Sequence, residues 1–126
     1  ADLEQAAFAG LIHLTNQCGQ GCVLQTRQLV HNTIKDQYLE MLKAMASQVK
    51  LGNPADPETG MGPLISAAQR ERVLAYIEQG KRDGNSLVYG GNIPTGMAQG
   101  FFIEPTIFDC PSNSTGGRNC IGESNC

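Results

Sequence analysis

Six apolar side chains constrain this chain more than any other feature: Ile34, Tyr38, Met41, Leu42, Met45 and Val49 recur at helical spacing and form one stripe. Asn32 or Thr33 is placed to cap the helix that carries them, and Gly52 to end it in a left-handed cap. A second stripe, Leu3, Ala7, Leu11 and Leu14, predicts a helix from Asp2 to about Leu14, with Asp2 near its N-terminus and Gly19 and Gly21 breaking it. Ser66 followed by Gln69 is a capping box, and Val73, Leu74 and Ile77 supply the apolar face of a third helix that stops near Gly84.

Shorter apolar runs lie between these helices. Arg27 to His31, with Leu29 and Val30, suits a buried strand, and Leu87 to Tyr89 a strand cut off by Gly90 and Gly91. Phe101 to Phe108 is rich in aromatic and branched residues, and Pro105 places that strand at an edge or a bend. Asn53 to Gly60 is turn chemistry throughout and predicts a surface loop. The order helix, strand, helix, helix, strand, strand predicts an α/β fold, helices packed on a small, mostly parallel sheet whose open edges favour a homo-oligomer. From Pro111 onward the composition shifts to Ser, Asn, Gly, Thr and Cys with only Ile121 to bury, which predicts a mobile tail over 111–126 outside the folded part, 1–110.

A chain of 126 residues holds one domain or part of one. Its 9 basic and 12 acidic residues are dispersed, with a net charge of -3, which argues against nucleic acid or an anionic membrane as partner. No apolar run approaches the roughly 18 residues of a membrane span, and the first residues show no secretory pattern, so a cytoplasmic protein is expected. Five cysteines, Cys18, Cys22, Cys110, Cys120 and Cys126, fit no framework of paired bridges and no zinc-ligand spacing; reduced thiols and no metal site are expected.

Cys22 follows Gly19-Gln20-Gly21, between the broken end of one helix and the next apolar segment. A nucleophilic thiol needs such a place: close backbone approach by substrate, backbone amides able to receive an oxyanion, and access to water. The rival readings are a small buried hydrophobe beside a turn, and a metal or redox pair of Cys18 with Cys22, for which no second pair follows.

The wider pattern decides between them. Asn16, Gly19-Gln20-Gly21-Cys22 and Thr26-Arg27 resemble the active-site cysteine segment of aldehyde dehydrogenases, N-x-G-Q-x-C followed by an Arg. The resemblance continues in order through Leu29-Val30-His31, Ile34, Asp36 and Tyr38-Leu39. It runs on through Gly52-Asn53-Pro54, Asp56-Pro57, Thr59 and Met61-Gly62-Pro63-Leu64-Ile65-Ser66 to Tyr76-Ile77 and Gly80. Gly90-Gly91 and Gly100-Phe101-Phe102-Ile103-Glu104-Pro105-Thr106 close it near Cys110. The resemblance implies part of the catalytic domain of an NAD(P)-dependent aldehyde dehydrogenase. Cys22 is then the catalytic nucleophile, forming a thiohemiacetal and then a thioester with an aldehyde substrate on the way to a carboxylic acid.

Two departures matter. The family's Asn stands five residues before the cysteine, whereas Asn16 stands six before Cys22 and Cys18 takes the usual small-residue place. The tail, Ser114-Thr115-Gly116-Gly117-Arg118-Asn119, shows nothing of the family's E-I-F-G-P motif. No phosphate-binding glycine fingerprint appears, nor a segment for the family's general base, so no cofactor-binding residue is assigned and the chain alone is expected to be inactive in aldehyde oxidation. Glu4 and Asp2 read as helix-start acids, His13 and His31 as scaffold residues, Arg27 as an orienting residue or a source of positive potential, and Glu104-Pro105-Thr106 as packing and turn geometry. Two alternatives stay open: cofactor-independent thiol esterase chemistry at Cys22, and a non-catalytic homo-oligomeric assembly module.

Overall fold

The structure, a computed structural model, describes residues 2–110; the expected mobile tail lies outside them. Three helices lead the fold: α1 (Leu3–Thr15), α2 (Asn32–Ala46) and α3 (Ala67–Arg82), followed by strands β1 (Ser86–Tyr89) and β2 (Ile107–Asp109). Among the described residues no helix is long and apolar enough to cross a membrane.

Asp2 caps α1 as its type predicts, Oδ1 accepting from the Gln5 amide at 3.1 Å. Glu4 in the first turn and His13 in the last complement the helix dipole. The buried face of α1 is Ala7, Gly10 and Leu11, and it meets Tyr38, Leu42 and Ala46 of α2, with Ile107 closing the cluster. Leu3, Leu14, Met41, Met45 and Val49 pack around it. The Tyr38 hydroxyl donates to Gln28 Oε1 and lies 3.4 Å from the Ala6 carbonyl, so the one polar atom of the crossing is satisfied. A second, smaller cluster of Leu64, Ile77 and Ile103 joins α3 to the segments on either side of it.

The cap of α2 departs from expectation. His31, not Asn32 or Thr33, takes it, with Nδ1 accepting from the Thr33 amide at 3.3 Å and lying 2.9 Å from the Thr33 hydroxyl. The helix ends at Ala46 rather than near Gly52, because the chain tightens through Ser47 to Val49 and then extends. Leu51 bridges Met61, and the Lys50 carbonyl accepts from both Gly60 and Met61. The loop between is built as its residues suggest: Asn53 Oδ1 receives the Ala55 amide, Asp56 Oδ1 receives the Glu58 amide, and Lys50 Nζ bridges Asp56 and Glu58. The Glu58 amide, with Lys50 after it, holds the Asp56 carboxyl below its usual range. Ser66 caps α3 by accepting from the Gln69 amide at 3.1 Å.

The sheet is not mostly parallel. Its two strands are antiparallel, pairing Ser86 with Asp109, Leu87 with Phe108 and Tyr89 with Ile107 across a bulge. The connection from Gly90 to Thr106 contains no helix, and without a crossover element the chain returns beside β1 in the opposite sense. The expected strand from Phe101 shrinks to Ile107–Asp109 because Pro105 has no amide to give and Thr106 uses its hydroxyl, not a ladder, to receive the Gly91 amide at 3.1 Å. At Gly90, φ is +72° and a Cβ would lie 1.9 Å from the Pro105 carbonyl oxygen, so this contact requires glycine. The Arg27–His31 strand is absent as well. The segment is irregular, pairs with no strand among the described residues, and leaves Leu29 94% exposed.

Leu42→Ala empties a fully enclosed position at the helix crossing and should cost roughly 2–5 kcal/mol, whereas Lys43→Ala on the exposed face should change stability little; thermal melts of the two variants check the assignment, and equal midpoints refute it. Burial also raises the Tyr38 phenol above its ordinary value of 10.0. Below that pH the phenol is neutral folded and unfolded alike. Above it the unfolded chain ionises first, so stability should fall as pH rises past about 10, and Tyr38→Phe should flatten that limb in urea titrations.

Candidate active site

Cys22 stands, exposed, in the second of two consecutive tight turns. The first runs from Gln17 to Gln20, whose amide donates to the Gln17 carbonyl at 3.0 Å; the second runs from Gly21 to Leu24, whose amide donates to the Gly21 carbonyl at 3.2 Å. Gln17, Cys18 and Gly19 all have positive φ, at 50°, 57° and 74°. Two central residues with φ > 0 define a turn of the left-handed type, which costs a side-chain-bearing L-residue roughly 1–2 kcal/mol. Gly19 bears no such cost.

The strained loop is held by contacts remote in sequence. The Cys18 thiol lies 3.2 Å from the Gly62 carbonyl oxygen and 3.4 Å from that of Pro63, and Gln20 Oε1 accepts from the Ile65 amide at 3.2 Å. Leu64 in turn donates to the Phe101 carbonyl at 2.9 Å. Arg70 donates to the Gly100 carbonyl with its guanidinium 5.8 Å from the Phe101 ring centre. The family landmarks around the cysteine, around Gly62 to Ser66 and around Gly100 to Thr106 therefore touch in series. Burial pushes the Cys18 thiol above its ordinary value of 9.0, a backbone hydrogen bond at Gly62 offsetting part of the rise, so Cys18 is held as a neutral, half-buried thiol.

Cys22 differs in every respect that bears on reactivity: it is a free thiol and exposed, and its backbone amide engages no partner among the described residues. That is not the packing of a core cysteine. Most of the other sequence candidates have scaffold roles. His13 accepts from the Gln25 amide at 3.4 Å, tying the segment after the turns to α1, and His31 caps α2. Asp2 caps α1, and Glu4 lies in the first turn of the same helix. Arg27 is exposed on the segment beyond the turns. Glu104 and Thr106 are spent on the scaffold, the Glu104 amide donating to the Asn92 carbonyl and Thr106 bonding the Glu104 carbonyl and the Gly91 amide. Sequence reasoning missed the anchoring roles of Cys18 and Gln20, whose partners lie more than forty residues away. The only available signal was that the G-Q step and the Gly62-Pro63-Leu64-Ile65 run occur in one chain. Of the cysteines, Cys18 and Cys22 are free as expected, whereas Cys110 is disulfide-bonded.

Among the described residues no α-helix N-terminus is left open to a dinucleotide. All three helix N-termini are closed by side chains, Asp2, His31 and Ser66, which leaves no glycine-lined cradle for a pyrophosphate.

Over residues 1–118 the chain matches the aldehyde dehydrogenase family. It is 44% identical over 110 residues to a betaine aldehyde dehydrogenase of Brucella ovis, an alignment that takes in 86% of this chain and 23% of that protein. The chain thus spans about a quarter of the length of the curated relatives it matches. A mutant of aldehyde dehydrogenase C from Pseudomonas syringae, complexed with NAD+ and octanal, matches with a TM-score of 0.86 at 30% identity, over 90% of this chain and 24% of that one. A double mutant of betaine aldehyde dehydrogenase from Staphylococcus aureus, in complex with NAD+ and with a BME-modified cysteine, gives 0.84 at 35% identity, over 87% and 23%.

The family's Asn stands where Gln17 sits here at φ 50°, and Asn tolerates that conformation better than Gln does. Gln17→Asn should therefore stabilise the chain by about 0.5–1 kcal/mol, raising the melting midpoint, while the branched Gln17→Val should lower it; the opposite order would remove the left-handed turn from the account.

Proposed function

The chain belongs to the aldehyde dehydrogenase family, and from that premise we propose that it is the nucleophile-bearing segment of an enzyme that oxidises aldehydes to carboxylic acids, with Cys22 as the catalytic residue. The observation that carries this reading is the exposed, free Cys22 on a turn pinned from both sides, its amide available to an incoming oxygen. The Cys22 thiolate adds to the aldehyde carbon; a carbon–sulfur bond forms while the carbonyl π pair moves to oxygen, and the resulting alkoxide is received by the Cys22 backbone N–H. Gln20 and Cys18 hold the loop that carries this amide and sulfur through their contacts with Ile65 and Gly62.

Hydride removal is the chemistry that a nicotinamide supplies, and both solved relatives described above are complexes with NAD+. The described residues offer a dinucleotide no cradle, so no hydride step is assigned to them and the choice between NAD and NADP is not theirs to make. A BME-modified cysteine in the Staphylococcus aureus relative is in keeping with a reactive thiol in this family.

By itself the chain should still acylate. An activated ester such as p-nitrophenyl acetate would transfer its acyl group to Cys22 with release of nitrophenol, and water would cleave the thioester. Iodoacetamide labelling followed site by site by mass spectrometry should modify Cys22 well ahead of Cys18 in the folded chain, and Cys22→Ala should abolish ester turnover with an unchanged melting curve. A Cys22 that labels only on denaturation would sink the nucleophile and favour the non-catalytic assembly module.

A further inference from the structure

We propose that Cys18 and Cys22 form a peroxide-operated thiol pair, in which Cys22 takes the oxidation and Cys18 closes a disulfide onto it. The inference rests on Cys22 being the accessible thiol argued above, and adds a modification site to the same loop. Both cysteines are free, and they lie in one loop separated by Gly19-Gln20-Gly21. Two successive tight turns fold that stretch back on itself. The glycines at both ends of the spacer leave the backbone free to bring the two Cα atoms to the roughly 4.4–6.8 Å that a disulfide spans.

The two thiols are set up for different parts. Cys22 is exposed, so a peroxide reaches it; Cys18 is half-buried against the Gly62 and Pro63 carbonyls, where a neutral thiol survives the first attack. The Cys22 thiolate attacks one oxygen of hydrogen peroxide, the O–O bond breaks, and sulfenic acid and hydroxide result. The Cys18 sulfur then attacks the sulfenic sulfur, the S–O bond breaks, and water leaves with the thiol proton, giving the disulfide. Hydrogen peroxide is the two-electron oxidant throughout, and a small dithiol reverses the change.

The second step has a structural consequence. A Cys18 sulfur bonded to Cys22 has no thiol proton to give Gly62 or Pro63, so the bridge removes one of the two contacts that pin the loop to that segment. Oxidation would thus protect the Cys22 sulfur from further, irreversible oxidation while withdrawing it from substrate.

Residues 1–26 contain no Lys or Arg, so Cys18 and Cys22 lie on one tryptic peptide ending at Arg27. After graded peroxide, the wild-type chain should yield this peptide two hydrogens lighter and resistant to alkylation, with its mass restored by dithiothreitol. Hydrogen exchange should rise at the Ile65 amide in step with it. In Cys18→Ser, which keeps a donor for Gly62, the peptide should instead gain two or three oxygens that dithiothreitol does not remove. Equal oxygen uptake in wild type and Cys18→Ser would overturn the pair. Iodoacetamide labelling of the reduced chain separates the two claims. Rapid labelling of Cys22 without the lighter peptide defeats the thiol pair alone, and no labelling of Cys22 defeats the nucleophile along with it.

Discussion

At Gly10 the backbone of α1 comes so close to its neighbours that a single methyl group there would lie 2.4 Å from Gln28 Nε2 and 2.7 Å from the Tyr38 oxygen. That approach lets Ala7 and Leu11 share one buried cluster with Leu42 and Ala46, and α1 runs on from it to Thr15. The cysteine loop begins at that end. Gln28, on the irregular stretch that leaves the loop, is held at the same crossing through the Tyr38 hydroxyl, so both ends of the stretch carrying Cys22 are positioned by one helix pair. The loop itself contributes little apolar burial of its own, since Val23 is 80% exposed and only Cys18 packs against the second cluster.

What keeps the loop in shape is therefore polar, and the balance is narrow. Gln17 and Cys18 in the left-handed region cost roughly 1–2 kcal/mol each. Against this stand the thiol contact at Gly62 and Pro63 and the Gln20 to Ile65 hydrogen bond, each contributing on the order of 0.5–1.5 kcal/mol net. The terms are of the same size and opposite sign. Such a loop persists because the segments on either side are fixed by packing and the anchors supply the remainder, and it gives way when one anchor is removed.

These facts explain what was legible in the sequence. The faces of α1 and α2 were readable because burial follows a helical period: Ala7, Leu11, Tyr38 and Leu42 are buried as their spacing required. Ser66 and Gln69 announced the cap of α3 for the same local reason. The sheet was not readable in this way. Leu29 and Val30 have the composition of a buried strand, but a strand exists only where another lies beside it, and none of the described residues does. The antiparallel pairing of β1 with β2 depends on the helix-free connection between them, which composition does not specify. At the site, the proposal of Cys22 rests on the resemblance rather than on local pattern. His31 as a cap and Cys18 as an anchor went unseen because each role depends on a partner's position rather than on the residue's own neighbours.

The reading of Cys18 and Cys22 as a pair had little support in the sequence because C-x3-C spacing specifies no metal geometry, and no group of three potential ligands exists among the described residues. The loop changes the question from ligation to reactivity. The exposure that the proposed attack on an aldehyde carbon needs also leaves a thiol on a turn open to peroxide. The residue in the family's small-residue place is, in this chain, a second sulfur held at the edge of the core. Its backbone is in the left-handed region, at φ 57°. The strain that shapes the Cys22 loop and the proposed closing of that loop on itself are thus linked, and a substitution that relaxes the turn should alter both.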